Sequence, residues 1–249
     1  MISIQNLEKI FNKGKVNEVQ ALRGVDLEIK EGEFLIVVGA NGSGKSTLLN
    51  LIAGNLFPTS GNIFINGSDV SRLPDYKRSK WIARVFQNPL SGTAPELSIL
   101  DNFRLAALRT SKKQLKIGVS DSFKSEVKAQ IASLGMGLEN KIEQPMGTLS
   151  GGQRQALTLL MGVMDSCEIL LLDEPTAALD PRSAESVMQT ADRLISEHNL
   201  TAIMITHNLK EAFKYGNRLL QMEEGKILRD LNFVERNRLS QADIYEWFI

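Results

Sequence analysis

Gly39-Ala40-Asn41-Gly42-Ser43-Gly44-Lys45-Ser46 is the stretch on which the fold turns. It follows Phe34-Leu35-Ile36-Val37-Val38 and precedes Thr47-Leu48-Leu49-Asn50-Leu51-Ile52. A β-branched apolar run bounded by glycine predicts a buried strand, and the segment after Lys45 predicts a helix. The octet fits G-x-x-x-x-G-K-[ST], the phosphate-binding loop. Its glycines Gly39, Gly42 and Gly44 let the backbone turn tightly, so that the N–H groups from Asn41 and Ser43 through Thr47 point inward as an anion nest. The helix that starts there adds its positive dipole end. Lys45 is placed to reach β- and γ-phosphates, and the Ser46 hydroxyl to ligate Mg²⁺. An ordinary Gly-rich strand-to-helix turn is the alternative; the flanking strand and helix, with Lys45 and Ser46, favour a nucleoside triphosphate site.

Working outward, Ile169-Leu170-Leu171-Leu172-Asp173-Glu174 reads as a buried strand ending in two carboxylates. Ligands of open α/β sheets sit at the carboxyl ends of strands, which brings these two beside the phosphate loop. Asp173 suits a Mg²⁺ shell and Glu174 the orientation and deprotonation of an attacking water, the alternative being a solvated strand end. His207, after a buried strand, reads by itself as a hydrogen-bonded structural residue, and Gln87 as a strand-end amide. Phe11, just before the turn cluster Asn12-Lys13-Gly14-Lys15, reads on position as core, the alternative being a platform for a nucleobase. His198 reads as an exposed helix end and Cys167 as core filler.

Residues 2–7 and 25–29 alternate as half-buried strands, as do 62–67; residues 81–86 read as another strand. Ser98-Ile99-Leu100-Asp101 has capping-box form and predicts a helix through Arg109. Phe123, Val127, Ile131 and Leu134 fall on one helical face, with Gly135 as the stop, and residues 110–122 read as a surface connection. Helices are expected at 151–164, 181–196 and 209–215, strands at 168–172 and 200–206, and a hairpin at 218–229. The 230–249 tail, apolar toward Tyr245, Trp247 and Phe248, is expected to pack back as a helix.

A chain of 249 residues allows one large domain or two small ones, with ample core. Lys+Arg and Asp+Glu are both 29, so net charge draws it neither to nucleic acid nor to anionic lipid. The N-terminus lacks the regions of a signal peptide and no apolar run has the length of a membrane span. The expectation is a cytoplasmic chain; if it works at a membrane, another polypeptide does the spanning.

Leu149-Ser150-Gly151-Gly152-Gln153, downstream of a phosphate loop and upstream of a strand ending Asp-Glu, resembles the signature motif of the ATP-binding-cassette ATPases. The resemblance covers nearly the whole chain. It puts Gln87 at the family's Q-loop position, in contact with Mg²⁺ or water; Ala177-Ala178-Leu179-Asp180 at the D-loop; His207 at the switch histidine; and Phe11 at the adenine-stacking aromatic. It implies an α/β fold: a P-loop NTPase core over roughly 1–87 and 151–249, an antiparallel β subdomain, and an α-helical signature subdomain over roughly 88–150, all within one ATPase domain of 1–249. Ser150, Gly151 and Gly152 open a helix and make a second anion site. By resemblance, Ser150 of one subunit closes on ATP held by Lys45 of another, in a head-to-tail dimer. Two exposed glycines at a helix start are costly, and the family's sandwich gives them a reason.

The resemblance implies the ATPase motor of a membrane transporter, with ATP and Mg²⁺ as cofactors. Its partners would be a second copy or a paralogous subunit, transmembrane permease subunits and an extracytoplasmic solute-binding protein, with no nucleic acid. Soluble iron–sulfur-assembly ATPases and export or lipoprotein-release ATPases are the alternatives; Asn17 to Val25 resembles the latter. The runs 92–98 and 147–160 are similar to a bacterial group tied to amino-acid uptake, aromatic ones included. Pro175 departs from the His common after the catalytic Glu in that group.

Overall fold

The computed structural model describes residues 1–110 and 118–245. The chain divides into two compact units, one comprising Met1–Arg78, Leu171–Glu174 and Asn199–Ile249, the other Ser79–Leu170 and Pro175–His198.

The first unit opens with β1 (Ile2–Phe11) paired antiparallel to β2 (Val19–Ile29). Both strands outrun the expected 2–7 and 25–29. Register shifts after Ile4, Leu7 and Lys9 interrupt the pairing, and a bulge breaks the two-residue period by which a strand is read. Asn6 takes φ 44° at the first irregularity, its N–H donating to Asp26 Oδ1 at 2.7 Å. The added length sets Phe11 opposite Val19. After β3 (Phe34–Val38), buried along its whole length, comes α1 (Lys45–Ala53). β4 (Ser60–Ile65) and β5 (Ser68–Asp69) then complete an antiparallel sheet of order β2-β1-β4-β5, and α2 (Asp75–Arg78) follows. Arg78, wholly buried, donates through Nη1 to the carbonyls of Leu51 (2.6 Å) and Ile52 (2.8 Å) and so closes the end of α1. Burial lowers its pKa to about 10.

The second unit begins with β6 (Ile82–Val85). α3 (Ile99–Ala107) is capped by Ser98, whose Oγ accepts from Asp101 N at 3.0 Å, as its capping-box sequence predicts. α4 (Asp121–Ala132) buries Val127 and Ile131, and Gly135 at φ 65° follows its end. α5 (Gly151–Val163) is buried from Arg154 to Met161, so it is the central helix of this unit. The main chain then enters β7 (Ile169–Asp173), the N–H groups of Glu168 and Ile169 both donating to Trp81 O at 2.9 Å. α6 (Pro181–Glu197) starts on Asp180, with proline in its first turn where no N–H is missed.

The chain returns through β8 (Thr201–Ile205), α7 (Leu209–Lys214), β9 (Arg218–Glu223), β10 (Lys226–Leu231), α8 (Phe233–Arg236) and α9 (Gln241–Tyr245). In the first unit the strand order is β10-β9-β3-β8, with the Leu171–Asp173 half of β7 beyond β8. β3 runs parallel to both β8 and β9, and β10 is antiparallel to β9. The result is a phosphate-loop α/β core with a mixed sheet, an antiparallel sheet beside it and flanking helices. The carboxyl ends of β3, β7 and β8 therefore lead into the phosphate loop, Glu174 and His207.

Arg218 anchors the hairpin: its guanidinium donates to both carboxylate oxygens of Asp230 (2.7 and 2.6 Å), to Glu33 Oε2 (2.8 Å) and to Glu28 O (2.6 Å). These bonds hold its pKa above the usual arginine range. Among the described residues the tail forms two short helices where one was expected. Asn232 caps α8, and Ser240 Oγ accepts from Asp243 N, a fresh helix start. Trp247 and Phe248 lie outside the described residues, as does 111–117 of the surface connection. Among the described residues no helix is long and apolar enough to cross a membrane.

Candidate active site

Two glycines of the phosphate loop, Gly39 and Gly44, admit no side chain. A Cβ on Gly39 would stand 2.1 Å from Met222 O, and one on Gly44 2.7 Å from Ala21 O, with φ at 143° and 102°. Ser43 is buried, Asn41, Gly42 and Ser46 are exposed, and Thr47 is half-buried. Lys45 is 5 % exposed, its Nζ donating to Gly39 O (2.8 Å), Ala40 O (2.9 Å) and Ser43 Oγ (3.4 Å). Burial pushes its pKa down, and the carboxylate of Glu174 acts in the opposite sense.

A cavity of about 530 Å³ opens over this loop. Asn41, Gly42, Gly44, Lys45, Ser46 and Thr47 form its floor, and Glu174 and His207 stand in its wall. Glu174 takes φ 46°, its N–H donating to Ile205 O at 3.0 Å. Its Oε1 lies 2.7 Å from His207 Nε2. Thr206 and Asn208 on either side of His207 are held by buried Glu211, which accepts from Thr206 Oγ1 (2.6 Å) and Asn208 Nδ2 (3.3 Å). Phe11 is half-buried and lines the same cavity, so the reading as core gives way to a wall position. The bulged extension of β1 carries it there. Asp173, half-buried at the end of β7, is not among the lining residues.

Val19, Gln20, Ala21, Arg23 and Glu224 also line the cavity and were not anticipated. β2 brings the first four and the β9–β10 turn brings Glu224. The only sequence signal was Glu224-Gly225, which marks a hairpin and does not say what the hairpin touches.

In the second unit Ser150 caps α5: its Oγ accepts from Gln153 N (3.3 Å) while Gln153 Oε1 accepts from Ser150 N (3.1 Å). Ser150 is exposed. The two glycines after it are not exposed, contrary to expectation. Gly151 is half-buried, and Gly152 is buried because a Cβ there would stand 2.6 Å from Ser183 Cβ of α6. The close approach of α5 and α6 already demands a glycine at 152. Asp180 caps α6, its Oδ1 accepting from Arg182 N and Ser183 N, both at 3.1 Å; the Ser183 hydroxyl first, and then these main-chain bonds, lower its pKa. Gln87 is exposed just beyond β6. Gln155 of α5 steadies that segment by donating to Phe86 O at 2.9 Å. Arg154 donates to the carbonyls of Met146, Gly147 and Leu149 (3.3, 3.1 and 2.9 Å), bracing the approach to Ser150.

A phosphate loop whose lysine shares a cavity with a carboxylate and an imidazole is the equipment of a nucleoside triphosphatase. The family model for the ABC transporter matches residues 22–177, and the chain belongs to that family as an ATP-binding, ATP-hydrolysing subunit. It is 36 % identical over 250 residues to the tyrosine transport ATP-binding protein of Clostridioides difficile, covering 100 % of this chain and 98 % of that one. It is 35 % identical over 230 residues to the spermidine/putrescine import ATP-binding protein PotA of Mesorhizobium japonicum, covering 92 % of this chain and 59 % of that protein. Among solved structures it is similar to the dimeric ATP-binding cassette MJ0796 in a post-hydrolysis state bound to ADP and Pi. There the TM-score is 0.79 at 29 % identity, over 94 % of this chain and 99 % of that one.

Proposed function

We propose that the chain is the ATP-hydrolysing motor of a bacterial importer of small solutes of the amino-acid kind. It works on the cytoplasmic face of the membrane as a head-to-tail pair with a second copy or a paralogous subunit. Permease subunits do the spanning, and an extracytoplasmic solute-binding protein delivers the cargo. The import of spermidine and putrescine by one relative supports the direction, and the transport of tyrosine by another supports the cargo class. The dimeric cassette with ADP and Pi supports the pairing. The observation that carries the hydrolytic part is the single cavity holding Lys45, Ser46, Glu174 and His207.

Phe11 stacks the nucleobase at one side, and the N–H groups of the loop cradle the β- and γ-phosphates. The Lys45 ammonium exchanges loop carbonyls for phosphate oxygens; a cation already desolvated loses little more and gains a full counter-charge. Ser46 offers an exposed hydroxyl and Asp173 a half-buried carboxylate, the hard oxygen donors that Mg²⁺ takes in ones and twos beside phosphate. Together they would hold the ion, which would neutralise charge on the phosphates. Glu174 orients a water and takes its proton as the water oxygen bonds to the γ-phosphorus and the bond to the bridging oxygen breaks, leaving ADP and phosphate. His207 steadies the Glu174 carboxylate and meets the γ-phosphate. Ser150, Gly151, Gly152, Gln153 and Asp180 of the opposing subunit close over the nucleotide, and hydrolysis reopens the pair.

Glu174→Gln keeps the shape of the side chain and removes the base. Its turnover should fall about 10²- to 10⁴-fold, the range of a general base. ATP should be retained and an ATP-dependent dimer should accumulate in light scattering. An active variant would take Glu174 out of the chemistry; an inactive variant that stays monomeric with ATP bound would remove the sandwich.

A further inference from the structure

The turn between β9 and β10 reads from sequence as a plain hairpin, yet it is built into the cavity. Gly225 N donates to Ser43 O of the phosphate loop (3.0 Å), and Gly225 O accepts from Arg23 N of β2 (2.9 Å). A Cβ on Gly225 would stand 2.7 Å from Ala21 O. The turn is thus fastened to both the loop and β2, and Glu224, at φ 45°, is held at the cavity rim. Across the rim Arg23 Nη1 lies 3.6 Å from Glu224 Oε2, the two side chains 43 % and 79 % exposed. Glu8, opposite Arg23 in the β1–β2 register, accepts from Ser60 Oγ at 2.6 Å.

We propose that Arg23 and Glu224 are an exchangeable ion pair that tunes nucleotide affinity: Arg23 leaves the carboxylate for a phosphate oxygen of bound ATP, and Glu224 competes against that transfer. The inference rests on the ATP-binding reading of the cavity. The pair is long and solvated, and such pairs hold weakly. A guanidinium takes phosphate in a bidentate, charge-assisted geometry that a single 3.6 Å contact to a carboxylate does not match. Lys45 and Arg23 are the cations in the lining, and Glu174 and Glu224 the carboxylates. A polyphosphate entering there draws Arg23 inward. Glu224 cannot follow, because its turn is bonded to the loop.

The two side chains therefore have opposite effects on binding. Fluorescent-ATP titration of the purified full chain should show Arg23→Gln about tenfold weaker, as for loss of a charge-assisted contact. Glu224→Gln should bind about three- to fivefold tighter, the scale of an exposed pair removed. In the Arg23→Gln background, Glu224→Gln should move the dissociation constant by less than about twofold, since coupled residues are not additive. Unchanged affinity in Arg23→Gln, weaker binding in Glu224→Gln, or equal tightening in both backgrounds overturns the exchange. A wild-type chain that fails to bind ATP overturns the nucleotide reading itself, a result the variants cannot mimic. Both side chains are exposed, so the folded state survives either change, and thermal melts check it.

Discussion

Glu174 holds its main chain at φ 46°, a region that costs a side-chain-bearing residue free energy unless its surroundings fix it. The bond from its N–H to Ile205 O does the fixing and aims the carboxylate at His207. His207 is exposed on the cavity side, and beyond the contact of its Nε2 with Glu174 its direction depends on its neighbours in the chain. Thr206 and Asn208 both bond to Glu211, which is 5 % exposed, and Asn208 N donates to Thr206 Oγ1 at 3.0 Å. Glu211 is on this view a positioning residue. Glu211→Leu should lower kcat about tenfold or more, since small misplacements near the reacting atoms are costly. ATP affinity should stay within about twofold, because the phosphate cradle is untouched. Glu211→Gln, which keeps an acceptor for Thr206, should recover most of the rate. Steady-state ATPase assays with nucleotide titrations separate these quantities; an equal loss in Gln and Leu variants, or a loss in affinity alone, would make Glu211 merely structural.

Where α5 crosses α6 at Gly152 and Ser183 there is room for no further carbon. Gly152→Ala should therefore destabilise the chain by about 1–3 kcal/mol, the usual cost of overpacking. That corresponds to a fall of about 2–12 °C in Tm for a domain of this size. Ser183→Gly removes the opposing Cβ and should restore part of the loss in the double variant, read by thermal melts; no recovery would place the strain elsewhere. The sequence suggested glycine here for a surface reason, because a residue pattern reports helical periodicity and not which helix lies across it. The same limit explains what was legible elsewhere. β3, α1, α3 and the Asp173-Glu174 strand end were readable because each is set by local rules: an apolar run, a loop motif, a capping residue. β1 and β2 were read short because their bulges break the alternation. Lys45, Ser46 and Glu174 were singled out through motif spacing, and His207 through the family resemblance, before their shared cavity was seen. Arg23, Glu224 and Glu211 were not, since their places depend on contacts between segments far apart in sequence.

For the molecule as a whole, the residues of the proposed mechanism are unevenly shared between the two units. Lys45, Ser46, Glu174 and His207 belong to the first, while Ser150 and its helix start belong to the second. Ser150 is exposed, and among the described residues the hydrogen bonds of its side chain and of its N–H stay within its own capping box. The pairing proposed above gives that end of α5 a phosphate on another subunit. A charge placed there tests the scheme without damaging the helix. Ser150→Asp retains an excellent N-cap, so stability should change by less than about 0.5 kcal/mol, whereas alanine there would cost about 1 kcal/mol. The new carboxylate, however, would oppose a γ-phosphate brought up against it. In the Glu174→Gln background, which prevents hydrolysis from dissolving the pair, Ser150→Asp should leave ATP binding to the isolated subunit unchanged and abolish the ATP-dependent dimer in light scattering. Dimerisation at the parent's ATP concentration would mean that the start of α5 never meets a partner's nucleotide, and the division of the site between two chains would have to be abandoned while the chemistry at Glu174 stood.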